Sequence, residues 1–157
     1  MDYVSENHSK HLLMCHLIFV CKYRKSLLLK FGSFIKKEFH KIESMSDFRI
    51  VEMEVDVNHI HILVKYKPKI SILQIVRKLK QISTINIWKL YPEELKSHFW
   101  KEKTFWSDGY FACSIGNVSK ETIEKYIRNK LTSAKLKTSQ FYACLIKSGD
   151  LAGISNK

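Results

Sequence analysis

At 157 residues and 45% apolar composition, with 2 prolines and 5 glycines, the chain is long enough for one well-buried core and offers no obvious linker. Lys and Arg number 27 against 15 Asp and Glu, a formal charge of +12 that favours a polyanionic partner. Residues 1–6 lack the basic and apolar regions of a signal peptide, and the longest apolar stretch, residues 12–21, is about half a membrane span and contains His16.

A cytoplasmic protein with no membrane role is therefore expected. The basic residues are spread over several segments and not gathered on one amphipathic helix, so nucleic acid fits the charge better than an anionic bilayer. Cys15, Cys21, Cys113 and Cys144 form no C-x-x-C pair and are widely spaced. They read as reduced thiols filling core or surface, which fits the pattern better than a disulfide framework or a zinc site.

Residues 12–21 are nearly all apolar or β-favouring and run into Lys22-Tyr23-Arg24-Lys25, as a central strand opening on a charged mouth would. Leu28, Phe31, Ile35, Phe39 and Ile42 then recur at spacings of three and four, predicting an amphipathic helix over 27–44. Residues 48–57 alternate weakly and 59–66 cleanly, with a short turn at 56–58 between them, which predicts a β-hairpin. Pro68 breaks the pattern and Ser71 can cap a helix. Its apolar stripe is Ile72, Ile75, Val76, Leu79, Ile82, Ile85 and Ile87, its other face carries Arg77, Lys78 and Lys80, and it ends before Pro92.

The segment 105–115 combines a turn signal with a strand of aromatic and small residues, ending at Gly116-Asn117. Ser119 caps a last helix striped by Ile123, Ile127, Leu131 and Ala134, and the tail beyond Lys147 reads as mobile. The order β-α-β-β-α-β-α is an α+β fold, the ferredoxin-like or RRM-like split βαβ arrangement with a central antiparallel sheet and one added C-terminal helix. A single domain over 1–157 is expected, its core at about 11–138 and its tail at about 147–157.

Along the strand Asn58-His59-Ile60-His61-Ile62-Leu63-Val64, alternation sends His59 and His61 to one face and Ile60, Ile62 and Val64 to the other. Two imidazoles side by side can hold a metal, although a pair of polar residues on a solvated strand face is the plainer reading and a metal usually wants a third ligand. On the last helix, about 100° per residue sets Lys130 beside the apolar stripe and Tyr126 roughly 40° farther round. Either Lys130 lays its stem on apolar surface with its ammonium in water, or Tyr126 and Lys130 look toward a shared polar site on the sheet. A tyrosine there can attack phosphorus and conserve the bond energy in a reversible phosphotyrosine link.

Taken in order and spacing, these segments resemble the single-tyrosine HUH transposases of small bacterial and archaeal insertion sequences. The resemblance is carried by residues 16–24, by Asn58-His59-Ile60-His61-Ile62-Leu63-Val64, and by Val76-Arg77-Lys78-Leu79-Lys80. Phe105-Trp106-Ser107-Asp108-Gly109-Tyr110-Phe111 with Gly116-Asn117-Val118, and finally Tyr126-Ile127-Arg128-Asn129-Lys130, complete it, so that it covers about residues 11–131. It implies a homodimeric endonuclease and strand transferase that recognises hairpins in single-stranded DNA at element ends and cuts through a 5′-phosphotyrosine. Tyr126 is implied as the nucleophile and His59 and His61 as the pair that binds Mg²⁺ or Mn²⁺, with active sites that can combine histidines and tyrosine helix from different subunits. Lys22, Tyr23, Arg24 and Lys25, together with Arg77, Lys78 and Lys80, are candidates for gripping DNA.

Two departures stand out. Asn58 replaces the family's usual Asp before the first histidine, and Lys130 replaces the Gln whose oxygen completes the metal shell; an ammonium cannot ligate a cation. Lys130 then either contacts the scissile phosphate itself, with the ion held by two histidines, water and Asn129 or Asp56, or marks a site too weak in metal to act, or points to solvent while another residue ligates. The competing expectation is a catalytically impaired or repurposed hairpin DNA- or RNA-binding protein on the same scaffold. A histidine phosphoesterase fits less well, because Leu63 stands where a third alternating histidine would be. His8, His11, His16, His40 and His98 read as structural or surface residues, His16 the least securely because its strand is among the matching segments.

Overall fold

A computed structural model describes residues 3–6 and 8–115 of the chain. Two short strands, β1 (Val4–Glu6) and β2 (Ser9–His11), pair antiparallel as a separate hairpin. The sequence pattern does not announce them, because neither strand buries a face. The fold proper follows as β3 (Leu13–Val20), α1 (Leu28–Ser44), β4 (Phe48–Val55), β5 (His59–Tyr66), α2 (Ile72–Leu90), α3 (Pro92–His98) and β6 (Phe111–Ile115). β4, β5, β3 and β6 lie in that order in one sheet, every neighbouring pair antiparallel. This is the split βαβ topology that the element order predicts. The expected last helix, with Tyr126 and Lys130, and the tail lie outside the described residues.

Parity along the strands sorts the side chains onto two faces. Leu17 and Phe19 of β3 and Ile60, Ile62 and Val64 of β5 join Phe31, Ile35, Phe39 and Ile42 of α1 and Ile75, Val76 and Leu79 of α2 in the main core. Met14 and Leu63 point the other way and form a small second cluster with Leu12, Val51 and Ile115. The central strands β3 and β5 are thus buried on both faces, which is why residues 12–21 read as a continuous apolar run.

The weak alternation of residues 48–57 has a structural cause. A β-bulge interrupts the β4–β5 ladder between Ile50 and Glu52. Before it Phe48 and Ile50 face the main core; after it Met53 and Val55 do, while Val51 turns to the second cluster. One extra residue switches the parity of the strand. It also sets Glu54 opposite His61 in the ladder.

α2 begins with a full capping box: the Ser71 hydroxyl accepts from the Gln74 N–H at 3.2 Å, and the Ser71 N–H donates to the Gln74 side chain at 2.8 Å. Its expected stripe holds except at Ile85, which is 53% exposed because it sits on the helix's outer face. α2 ends at Leu90, before Pro92 as expected, and Pro92 then opens the short helix α3, whose Leu95 is buried. The segment 105–115 holds the expected strand only in its second part. Phe105 and Trp106 instead plug the main core, with Trp106 Nε1 donating to Ser83 Oγ at 3.0 Å, and the strand starts at Phe111. Among the described residues no helix is long and apolar enough to cross a membrane.

Candidate active site

β5 begins at His59, and its register against β3 decides what surrounds the two histidines. His59 pairs with Val20 and His61 with Ile18, so His16 stands two residues along, diagonal to His61 and on the same face. His59 and His61 have ring centroids 5.0 Å apart. His16 and His61 are 5% and 7% exposed, and His16 Nε2 lies 3.0 Å from His61 Nδ1. The ring planes differ by only 19° with centroids 5.2 Å apart, and Phe111 of β6 stands edge-on to His16 at 6.0 Å.

His59 Nδ1 lies 2.9 Å from Asn58 Oδ1, an oxygen that can only accept, so a neutral ring donating there from Nδ1–H carries its lone pair on Nε2. That Nε2 is 3.7 Å from Asp56 Oδ2. Two nitrogen donors on one face with a carboxylate beside one of them match the ligand chemistry of a divalent cation. Among the described residues, however, no three His, Cys, Asp or Glu side chains converge into a complete metal cage. The arrangement is an open half-site.

A basic mouth adjoins it at the same end of the sheet. Cys21 N–H donates to Asn58 O, Lys22 N–H to Phe105 O and Ser107 N–H to Val20 O, each at 2.8 Å, which ties the segment after β3 to the hairpin turn and to the loop before β6. Within it Tyr23 and Arg24 take the left-handed conformation, at φ 57° and 52°, and Tyr23 is 67% exposed. The predicted DNA-gripping residues are placed unequally. Lys22 pairs with Asp108 at 2.8 Å, an interaction that raises the pKa of the lysine and lowers that of the aspartate. Lys78 donates to Met45 O at 3.0 Å.

Lys80 donates to the carbonyls of Ser107, Asp108 and Gly109, and burial pulls its amine down to about 8. Lys25 lies over the Phe99 ring at 5.8 Å. Arg24, Arg77 and Tyr23 are exposed, and Arg77 lines an open groove of about 590 Å³ between α2 and residues 103–110. α2 packs on the sheet face opposite the histidines, so its cations do not line the histidine face.

Among the described cysteines, Cys15 and Cys21 are buried. Burial pushes the Cys15 and Cys21 thiols up to about 11 and about 12, leaving them protonated, while Cys113 is exposed. His16 is the residue that sequence reasoning assigned to structure and the fold brings into the site. Its position in the strand gave the face, but only the β3–β5 register gives the partner.

The chain has relatives among known proteins. The chain is 28% identical over 116 residues to the ISDra2 transposase TnpA of Deinococcus radiodurans, covering 73% of this chain and 81% of that one. It is 28% identical over 141 residues to the transposase for insertion sequence element IS200 of Salmonella typhimurium, covering 86% and 88%. Among solved structures, a transposase-like protein of Deinococcus radiodurans R1 superposes with a TM-score of 0.65 at 24% identity, over 81% of this chain and 97% of that one. A REP-associated tyrosine transposase bound to a REP hairpin superposes at 0.57 with 15% identity, over 85% and 77%. These two likenesses bear on the fold. The family model described as "Transposase IS200 like" matches residues 9–130, a span that includes the paired histidines, the basic mouth and the Tyr126 segment, and the chain therefore belongs to the IS200-like transposases.

Proposed function

We propose that this transposase is a metal-dependent endonuclease and strand transferase acting on single-stranded DNA hairpins at the ends of its element. The observation that carries this reading is the pair His59 and His61 side by side on one sheet face, each with its Nδ1 hydrogen bonded to a neighbouring side chain. Hairpin recognition draws support from the +12 charge and the exposed basic mouth, and from the REP hairpin held by a protein of the same fold.

His59 and His61 would hold Mg²⁺ or Mn²⁺ through Nε2, with Asp56 as the nearest third donor. When bound, a divalent cation polarises the scissile phosphate and stabilises the departing oxygen. Tyr126, matched to the family's motif, is the nucleophile. Its phenolate oxygen bonds to phosphorus while the bond to the 3′ oxygen breaks, and that oxygen leaves with the electron pair and takes up a proton. The 5′-phosphotyrosine that remains conserves the bond for rejoining. Lys130, as an ammonium, serves the phosphate and not the metal. Tyr23 and Arg24 supply a stacking ring and a cation for the strand near the cut. In a homodimer, the histidines of one subunit can work with the tyrosine of the other.

The test is a labelled hairpin from the element's own ends, incubated with protein and Mn²⁺ and run on a denaturing gel. Native protein is expected to form a covalent adduct. Tyr126→Phe should abolish it while hairpin affinity stays within about twofold, because one hydroxyl is a small part of a largely electrostatic interface. A native protein that binds the hairpin and forms no adduct would instead favour a hairpin-binding protein that does not cut.

A further inference from the structure

We infer that His16 is a positioning residue that fixes the tautomer of His61, so that His61 presents a lone pair at Nε2 to the site. The inference rests on the reading of His61 as a ligand but makes a claim of its own about this chain. The 3.0 Å contact between His16 Nε2 and His61 Nδ1 is buried, with both rings almost excluded from water. The 19° tilt and 5.2 Å centroid distance set the rings end to end, the arrangement in which the N–H of one imidazole meets the lone pair of the other.

Such a bond has two directions with opposite consequences. If His61 donates Nδ1–H to His16, the His61 lone pair is on Nε2 and the ring can ligate there. If His16 donates, a neutral His61 carries its proton on Nε2 and cannot. His59 shows the same demand met differently: its Nδ1 faces Asn58 Oδ1, which only accepts. The two histidines adopt matching tautomers when His16 is the acceptor, and a bond to the far ring nitrogen is the device that orients metal-binding histidines generally. His16 is held for the task from both sides, by the β3–β5 and β3–β6 ladders, which pair it with Leu63 and Cys113, and by the Phe111 edge.

The test uses the full chain. Nitrogen-15 NMR of the imidazoles in metal-free protein is expected to find His61 protonated at Nδ1; protonation at Nε2 would overturn the proposal without any variant. His16→Phe keeps a ring in place but cannot accept, and should weaken Mn²⁺ binding in calorimetry by about 10–100-fold, with hairpin affinity unchanged. His16→Gln, whose oxygen reaches near the Nε2 position, should recover most of the loss. Mn²⁺ affinity in His16→Phe equal to native would overturn the proposal. Native protein that takes up no Mn²⁺ would defeat the metal reading instead, and the tautomer of His61 in native and His16→Phe protein then decides the role of His16 by itself.

Discussion

Tyr23 and Arg24 hold positive φ angles without being glycines, in a segment pinned on both sides by backbone hydrogen bonds. The left-handed conformation costs a residue with a Cβ roughly 1–2 kcal/mol, and strain of this kind persists where the surroundings over-determine it, often beside a functional site. Here it exposes Tyr23 next to the turn that carries Asn58 and His59. Tyr23→Gly should therefore raise stability in urea unfolding by up to about 1 kcal/mol while weakening single-stranded DNA binding about tenfold, the worth of one stacked base. Loss of stability, or unchanged DNA affinity in a titration, would show that the conformation serves the fold and not the ligand. Nothing in the residue types Lys-Tyr-Arg announces the strain; the sequence gives the charge and the ring, and the neighbouring ladders supply the angle.

Among the elements, those with strong periodicity were legible. β5 and α1 follow their apolar patterns closely, and the capping residues Ser71 and Gln74 mark the start of α2. What was not legible depends on partners distant in sequence. The bulge in β4 looks like blurred alternation until the ladder with β5 is known, and Phe105 and Trp106 look like strand until the core is seen to need them. Local composition also misses α3, which begins at Pro92 directly after α2 ends.

The contact of α1 with the sheet allows one such partner-dependent feature to be tested. A Cβ on Gly32 would lie 2.9 Å from Val55 Cγ1, on a β-branched side chain of a paired strand. Gly32→Ala gains about 1 kcal/mol of helix propensity but overpacks the interface at a cost of about 1–3 kcal/mol. A net loss of up to about 2 kcal/mol in chemical denaturation is expected, and a stabilised variant would mean that β4 yields there.

Lys80 links α2 to the loop before β6 in the same way. Its amine falls from an ordinary 10.5 to about 8, by burial first and by Lys22 in addition, against the opposing pull of Asp108. The unfolded chain then binds more protons than the folded one between these two values, so the cost of the buried charge is complete below about pH 8 and is relieved as pH rises toward about 10.5. Relative to Lys80→Met, the native protein should gain stability across that window, measured by unfolding in buffers at its two ends. Parallel profiles would remove Lys80 as the source.

At the scale of the molecule, the described residues with candidate chemistry gather toward one end of the sheet. The hairpin turn brings His59, Asn58 and Asp56, β3 brings His16 from the middle of its length, and the left-handed turn and the loop before β6 close the mouth around them. The chain as a whole carries a +12 charge, and the family match to residues 9–130 spans every residue of this end of the sheet. Of the site, the histidine pair and the basic mouth were visible as sequence motifs. The third histidine and the internal commitments of Lys22, Lys78 and Lys80 were not, because each depends on a contact that spacing along the chain does not encode.

Metal-assisted cleavage at the histidine face is the proposal on which the other roles depend. It is tested most directly by the yield of covalent protein–DNA adduct on a labelled hairpin, with Mn²⁺ and with a chelator, for native protein and His61→Ala. Adduct that requires Mn²⁺ in the native protein and falls by about 100-fold or more in His61→Ala, while hairpin binding persists, is the predicted result. Adduct that forms equally well in chelator, or equally well without His61, would contradict it.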